Sequence, residues 1–360
     1  MNITINSKNL LKAAQKVGGC IKSSNTLPIL DCLLLHAYGN EIILTASDNE
    51  IRATTKVAAT VERQVDCCID YNQITGILKS FPSAPVELEF SDKYVKLVCG
   101  ESRYVLPVSD FTAFPKTQNV DWQNPINMDT DDLCSSLKRA VKFTDPTDDF
   151  RGIRNVIVQS LNNNLKVKAM TAFMAFSESV MECPQDFKVL LSNRAASFLA
   201  TQPIEEETMV MDHTDSNVRF STETTTITII QPEQSPPDVD KLLEGKEINH
   251  RITVNKENFI RAINALMQLS AVSFSPLKLD FTKKEVVINC DDKFLELKGK
   301  EVCIATLEGE EFTTGFNGKI LATVLGMVDG EEATLEVADP KRMAFVNTGK
   351  IKMLATAYGI

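Results

Sequence analysis

Few side chains in this sequence stand in combinations that could do chemistry. Residues 145–149 (DPTDD) hold three carboxylates that could bind a metal ion, although such a run beside a proline is more typical of a solvated loop. Cys67 and Cys68 are adjacent in an apolar stretch, which favours core packing over redox chemistry. Three histidines occur without ligand-like spacing to cysteines or carboxylates: His36, His213 and His250.

The sequence also lacks the usual catalytic motifs. It has no G-x-S-x-G, H-E-x-x-H, P-loop or G-x-G-x-x-G pattern. The acidic runs 205–207 and 308–311 are interpreted as loop charge, and residues 48–50 as a turn. A binding or scaffold protein is therefore expected rather than an enzyme, with no catalytic residue, no metal and no cofactor.

Lysines at helical spacing offer a different kind of chemistry. Lys8, Lys12 and Lys16 follow one another at four-residue intervals, as do Lys138 and Lys142, so each set shares one helix face. Another side of the first helix carries residues expected to pack on a sheet: Leu11, Ala14 and Val17. Such a basic face can meet phosphates without reading bases. The alternative is an ordinary solvated lysine face.

The elements that position these lysines recur along the chain. Similar segments of strand, capping residue and amphipathic helix begin at Ile3, Ile126 and Ile252, 123 and 126 residues apart. A second set begins at Tyr71, Leu191 and Thr314, 120 and 123 residues apart. The predicted helical segments are 3–19, 71–82, 126–142, 191–202, 252–268 and 314–327.

Between these landmarks the sequence is typical of strands. Alternating or apolar runs occur at 41–46, 85–90, 94–98, 164–169, 225–230 and 285–289. The polar stretches 118–125 and 243–250 are predicted linkers. The pattern predicts an α+β protein of three similar domains, 1–122, 123–249 and 250–360, each with two helices and about eight strands.

The charge is unevenly distributed. The 360 residues are 43% apolar and carry a formal charge of −10, which by itself argues against nucleic acid as a partner. The six helical segments, however, hold eleven basic and four acidic side chains, a net +7 that leaves −17 for the rest. This separation of sign favours a basic surface that meets phosphates in an otherwise acidic protein.

The same sequence bears on the compartment. No apolar run approaches the roughly 18 residues of a membrane span, and the N-terminus lacks the pattern of a signal peptide. Nine scattered cysteines without C-x-x-C are typical of a reduced environment. A cytoplasmic protein without membrane association is expected.

Several segments, in order, resemble the bacterial DNA polymerase III beta subunit, the beta sliding clamp. Residues 26–35 (TLPILDCLLL) are similar to the family's T-L-P-I-L-x-x-L-L-L signature, and residues 44–51 (LTASDNEI) to its L-T-x-T-D-x-E-x segment. Residues 110–115 (DFTAFP), 150–155 (FRGIRN) and 315–317 (GFN) resemble three further motifs. The first motif is quite specific, and the others support it.

The resemblance implies three tandem DNA-clamp domains and a head-to-tail homodimer that closes a six-domain ring. Such a ring encircles duplex DNA without sequence preference and tethers the DNA polymerase, acting as a non-catalytic processivity factor. The implied DNA-binding residues are Lys8, Lys12, Lys16, Lys22, Lys79, Lys138, Arg139, Lys142, Arg151, Arg194, Lys256, Arg261 and Lys319.

The family also has a cleft where the polymerase catalytic subunit and the clamp loader dock through short peptide motifs. Its T-D-G-H-R-L-like run is replaced here by residues 170–175 (MTAFMA), and its usual tail by residues 354–360 (LATAYGI). The implied cleft residues are Arg154, Met170, Ala172, Phe173, Met174, Ala175, Pro237, Lys241, Leu242, Met343, Leu354, Ala355 and Thr356. They could form an apolar groove with altered partner preference, or they could simply be packed core.

Three interpretations follow. The chain is a processivity clamp; or it is a divergent clamp-like scaffold, a second clamp copy serving a specialised or mobile-element replication system; or it is an enzyme with an undetected site, which would require turnover to be lost on changing an acidic residue such as Asp148. Binding of a Q-x-x-L-x-F-like peptide separates the first two.

Overall fold

Seven helices are seen in the computed structural model, which describes residues 2–22, 27–117, 120–148, 151–269, 276–292 and 296–358, without the side chains of 2, 123, 124, 151, 276 and 292. Six of them lie within the helical segments predicted from sequence. The helices are α1 Ser7–Gly18, α2 Tyr71–Ser80, α3 Thr130–Ala140, α4 Asn193–Ala200, α5 Val239–Leu243, α6 Lys256–Met267 and α7 Gly318–Leu325.

The strands of the described residues number twenty-five, and the predicted strands are all among them. They are β1 Asn2–Asn6, β2 Cys32–Tyr38, β3 Glu41–Ser47, β4 Ile51–Ala58, β5 Thr60–Val61, β6 Val65–Asp70, β7 Pro85–Phe90, β8 Tyr94–Cys99, β9 Ser102–Ser109, β10 Gln123–Asp129, β11 Asn155–Leu161, β12 Asn164–Met170, β13 Met174–Met181, β14 Phe187–Ser192, β15 Thr208–His213, β16 Asn217–Ser221, β17 Thr225–Ile230, β18 His250–Asn255, β19 Pro276–Phe281, β20 Glu285–Asp292, β21 Leu297–Glu308, β22 Phe312–Asn317, β23 Glu332–Asp339, β24 Met343–Asn347 and β25 Ile351–Tyr358.

The first of two compact units comprises residues 1–134 and 197–233. Its strands pair antiparallel in the order β10-β15-β16-β17-β4-β3-β2-β6-β9-β8-β7-β1-β5. The sheet passes from the first third of the sequence to the second where β17 pairs with β4, with Thr225 opposite Thr55.

The second unit comprises residues 135–196 and 234–360. Its strand order is β14-β11-β12-β13-β25-β22-β19-β20-β21-β18-β23-β24, and β24 also pairs with β25. Here the middle third joins the last third where β13 pairs with β25, with Ala175 opposite Leu354. Because the sheets continue across the repeats, the two units do not coincide with the three predicted domains, whose boundaries remain a prediction.

The helices pack one apolar face on the sheets, as α1 illustrates. Ala14 and Val17 are fully buried, as predicted from sequence, but Leu10 is buried where Leu11 was expected, and Leu11 is only half-buried. At the end of α1, Gly18 lies directly against Tyr71 of α2, and a Cβ on Gly18 would come within 2.1 Å of the ring. No helix among the described residues is long and apolar enough to cross a membrane.

Candidate nucleic-acid interface and partner cleft

Each of the six predicted helices has a side-chain N-cap. In each, a side-chain oxygen of the residue before the helix accepts a hydrogen bond from a backbone N–H of the first turn, which satisfies a donor that the helix itself leaves unpaired. The capping residues are Asn6, Asp70, Asp129, Ser192, Asn255 and Asn317. These caps fix where each helix begins and therefore which side chains its outer face presents.

Several of the predicted DNA-binding cations lie on these outer faces. Six of them are exposed, as an electrostatic contact with phosphate requires. They are Lys12, Lys79, Lys138, Lys142, Arg261 and Lys319. Lys142 lies in a short 3-10 turn, Val141–Phe143, directly after α3 and not in the helix itself.

The lysine row of α1 is only partly open. Lys8 is half-buried, and its Nζ lies 3.5 Å from the carbonyl oxygen of Lys79. Lys12 forms an ion pair with Glu205, and both side chains are more than half exposed. Lys16 is only 7% exposed, although it occupies the same face in the sequence pattern. The row expected from spacing is therefore not three equivalent cations.

Glu206 is an acidic group that interacts electrostatically with Lys16. Burial opposes ionisation of this carboxyl, but hydrogen bonds from the Thr224 and Thr222 hydroxyls, at 2.6 and 2.9 Å, and the charge of Lys16 lower its pKa to about 2. Residues 205–207 lie in a loop, as predicted, but Glu206 is a half-buried, hydrogen-bonded anion and not simply a solvated charge. The local sequence pattern does not reveal these interactions, because Glu206 is 16 and 18 residues from the two threonines and much further from Lys16.

Other predicted DNA-binding side chains also have protein partners. Arg139 donates two hydrogen bonds to Glu178, at 2.9 and 2.5 Å. Lys22 Nζ lies 3.1 Å from Asp48 Oδ2. Lys256 Nζ donates a hydrogen bond to the Val328 carbonyl oxygen at 2.7 Å, and Arg261 pairs with Glu301 at 3.6 Å. Arg194 is half-buried. The side chain of Arg151 lies outside the described residues.

Part of the predicted cleft is brought together in the second unit. Met170, Ala175, Met343 and Leu354 pack in one apolar cluster with Val239 and Leu243 of α5. Met174 and Ala355 are opposite one another across β13 and β25. The Thr356 N–H donates to the Phe173 carbonyl oxygen at 2.9 Å.

The rim of this cluster is more open. Leu242 is 38% exposed and Lys241 is largely exposed. Pro237 is half-buried and Ala172 is exposed. The Arg154 guanidinium donates to the carbonyl oxygen of Asp148 and is thereby tied to a loop.

Sequence reasoning missed a polar network behind α5. Lys168, 4% exposed, donates from Nζ to Asp240 Oδ2 at 2.6 Å and to Gln159 Oε1 at 3.0 Å. Lys166 and Lys168 alternate in β12 like an ordinary solvated edge, so the pattern hides the burial of Lys168.

Strands β9 and β21 each have a segment that pairs on one side only within the part of the chain that the structure describes. In β9, residues 102–107 pair with β8, and only Val108 and Ser109 reach β6. In β21, residues 297–304 pair with β20 and the remainder with β18. Both segments carry exposed apolar side chains, with Val105 60%, Val302 50% and Ile304 87% exposed.

The remaining chemistry candidates lie in ordinary surroundings. Cys67 and Cys68 are buried, as predicted, and burial raises the pKa of each thiol to about 12. Asp145 Oδ1 accepts hydrogen bonds from the Thr147 N–H and hydroxyl, a local turn. In the part of the chain that the structure describes, no three His, Cys, Asp or Glu side chains cluster as a metal site would require.

Comparisons with known proteins agree with this architecture. Residues 1–118 match the family model for the N-terminal domain of the DNA polymerase III beta subunit. The beta sliding clamp of Caulobacter vibrioides is 24% identical over 356 residues, covering 94% of each chain.

Solved structures show the same fold over the whole length. The beta subunit of Streptococcus pyogenes DNA polymerase has a TM-score of 0.94 at 19% identity, covering 100% of both chains. The DNA polymerase III subunit beta of Pseudomonas aeruginosa has a TM-score of 0.93 at 18% identity, again covering both chains fully. Residues 1–118 thus match the N-terminal domain of the DNA polymerase III beta subunit, and the whole chain is similar in sequence and in fold to beta sliding clamps.

Proposed function

We propose that this chain is a DNA sliding clamp, a non-catalytic processivity factor that holds a DNA polymerase on duplex DNA in the cytoplasm. The observation that carries the proposal is the set of capped helices with exposed cations in a chain of net charge −10 that has the clamp fold. Cations on rigid helices attract phosphates without reading sequence, which permits movement along the duplex.

The ring requires a second copy of the chain. The one-sided segments of β9 and β21 are the surfaces that support dimerisation, because an exposed apolar strand edge is normally covered in a native protein. A head-to-tail dimer would join β9 of one copy to β21 of the other at two equivalent junctions, and so leave neither edge exposed.

The apolar cluster beside α5 supports a docking role for the second unit. Exposed Leu242 belongs to α5 and half-buried Pro237 precedes it, and other residues of α5 pack with buried Leu354 and half-buried Met170 and Met343. This combination is suited to apolar side chains of a short peptide. We propose that the polymerase catalytic subunit and a clamp loader bind here through short motifs.

Two measurements test the function. Sedimentation velocity at micromolar concentration should give about twice 39.9 kDa, and a monomer would contradict the ring. Protein assembled on nicked circular DNA should stay with the DNA during gel filtration and leave it when the circle is cut once. Equal retention on circular and linear DNA would indicate ordinary electrostatic binding, without encirclement.

A further inference from the structure

The buried lysine of β12 is the starting point. Lys168 is 4% exposed, and a buried ammonium is costly unless charged and polar groups replace its water. Asp240 Oδ2 and Gln159 Oε1, at 2.6 and 3.0 Å from its Nζ, supply that replacement. The chain therefore maintains a buried charge whose main counter-ion lies on α5.

Asp240 is held from two strands at once, β12 and β13. Its Oδ1 lies 3.3 Å from Lys166 Nζ of β12 and 3.3 Å from Ser177 Oγ of β13, while Lys168 holds Oδ2. Burial opposes ionisation of this carboxyl, but the hydrogen bonds and charges of Lys168 and Lys166 keep its pKa below the ordinary value. The carboxylate is thus a fixed anchor between a helix and a sheet.

The helix needs such an anchor. α5 has five residues, too few to be stable by itself, and it lies between Pro237 and Gly245, which has a φ of +72°. Val239 and Leu243, four residues apart, form its buried face. At 100° per residue, Asp240 lies on one flank of that face and Leu242 on the opposite flank.

Apolar packing alone does not fix the rotation of this helix. A cavity of about 440 Å³ lies on the Asp240 flank and is lined by Lys166, Lys188, Pro237 and Glu244, among others. Since this flank borders open space, the helix could turn toward it and withdraw Leu242 from the cleft. The contacts of Asp240 oppose that rotation.

We propose that Lys168 and Asp240 are positioning residues that set the rotation of α5 and thereby present Leu242 to the docking peptide. Neither side chain contacts the peptide in this account. The inference rests on the proposed function, and it names the residues outside the cleft on which the affinity of the cleft depends.

The test measures binding of a Q-x-x-L-x-F peptide by calorimetry to the full-length dimer. Asp240→Asn and Lys168→Gln should each weaken binding by about tenfold, and the double variant, which leaves no unpaired buried charge, by no more than either single one. Amide exchange of residues 239–243 should become faster in all three variants while exchange in β20 and β21 is unchanged.

Glu244→Gln is the matched control. Glu244 directly follows α5 and its Oε1 pairs with Lys352 Nζ at 3.6 Å, but both side chains are about half exposed. This variant loses the same charge and should retain the affinity of the wild type. If the wild type binds the peptide, and both Asp240→Asn and the double variant bind it as tightly as the wild type does, the positioning proposal is overturned while the proposed function stands. If the wild type itself does not bind, the cleft fails and the positioning proposal fails with it.

Discussion

Lys12 on α1 forms an ion pair with Glu205, 193 residues further along the chain. An acidic loop therefore lies against the lysine row that was expected to face phosphates. Both side chains are substantially exposed, 51% and 69%, so the pair is weak and a phosphate can compete with the carboxylate. If the proposed function holds, this loop carries a negative charge beside a lysine that is predicted to contact phosphate.

Removing this carboxylate should strengthen binding to DNA. Glu205→Gln frees Lys12, and we expect the affinity for duplex DNA at low salt to rise about two- to threefold, with a steeper salt dependence. Fluorescence anisotropy across a salt series measures both. Glu207→Gln removes the same charge from the same loop, and an equal gain in that control would show a general charge effect, independent of the pair.

The exposed lysines at the end of α3 should contribute directly. Lys138→Gln with Lys142→Gln is expected to reduce the slope of log affinity against log salt by about two, because two phosphate contacts are lost. Lys341→Gln with Lys350→Gln, two exposed lysines outside the predicted helices, serves as control. If the two double variants give identical slopes of log affinity against log salt, the lysines at the end of α3 do not contact DNA.

Glu206 should make stability depend on acid pH. Its folded pKa of about 2 lies below the unfolded value, so it stabilises the fold above the unfolded pKa and loses that contribution as pH falls toward 2. At pH 7, Glu206→Gln should lower the free energy of unfolding by on the order of 1–3 kcal/mol. Urea unfolding of both proteins at pH 7 and pH 3 measures this. If the difference in free energy of unfolding between the two proteins is not smaller at pH 3 than at pH 7, Glu206 does not have the lowered pKa described above.

The close contact between α1 and α2 should not tolerate a methyl group. Gly18→Ala places a Cβ within 2.1 Å of the Tyr71 ring, so the ring or the two helices must shift, and we expect a loss of about 1–3 kcal/mol. Gly76→Ala in α2 is the control, since its Cβ meets no atom within 4 Å and alanine favours a helix. Thermal melting should show a lower midpoint for the first variant only.

The strand edge of β21 should control assembly. Ile304 is 87% exposed, and Ile304→Lys would bury a charge at the proposed junction, which we expect to weaken the dimer by at least about tenfold. Ile230→Lys, at another exposed apolar site, should leave the mass unchanged. Dimers persisting in dilute Ile304→Lys would place the junction elsewhere.

Much of the architecture was readable from local patterns. The six helices begin where Asn, Asp or Ser precedes an amphipathic run, because a capping side chain and the first turn interact within a few residues. The predicted strands are confirmed, because alternation of apolar and polar residues is also a local pattern. Asn162 and Asn163 form the turn between β11 and β12, with φ of +54° and +58°. α5 escaped prediction because five residues are too few to show a helical period.

What the sequence by itself determined is thus the kind and order of elements, together with the family likeness. Only the tertiary structure decided which charges are available. It buried Lys16 beside Glu206, paired Lys12 with Glu205 and enclosed Lys168 behind α5. The physical reason is that burial and pairing of a charge depend on groups brought together from distant parts of the chain, while periodicity records only the neighbours of each residue along one element.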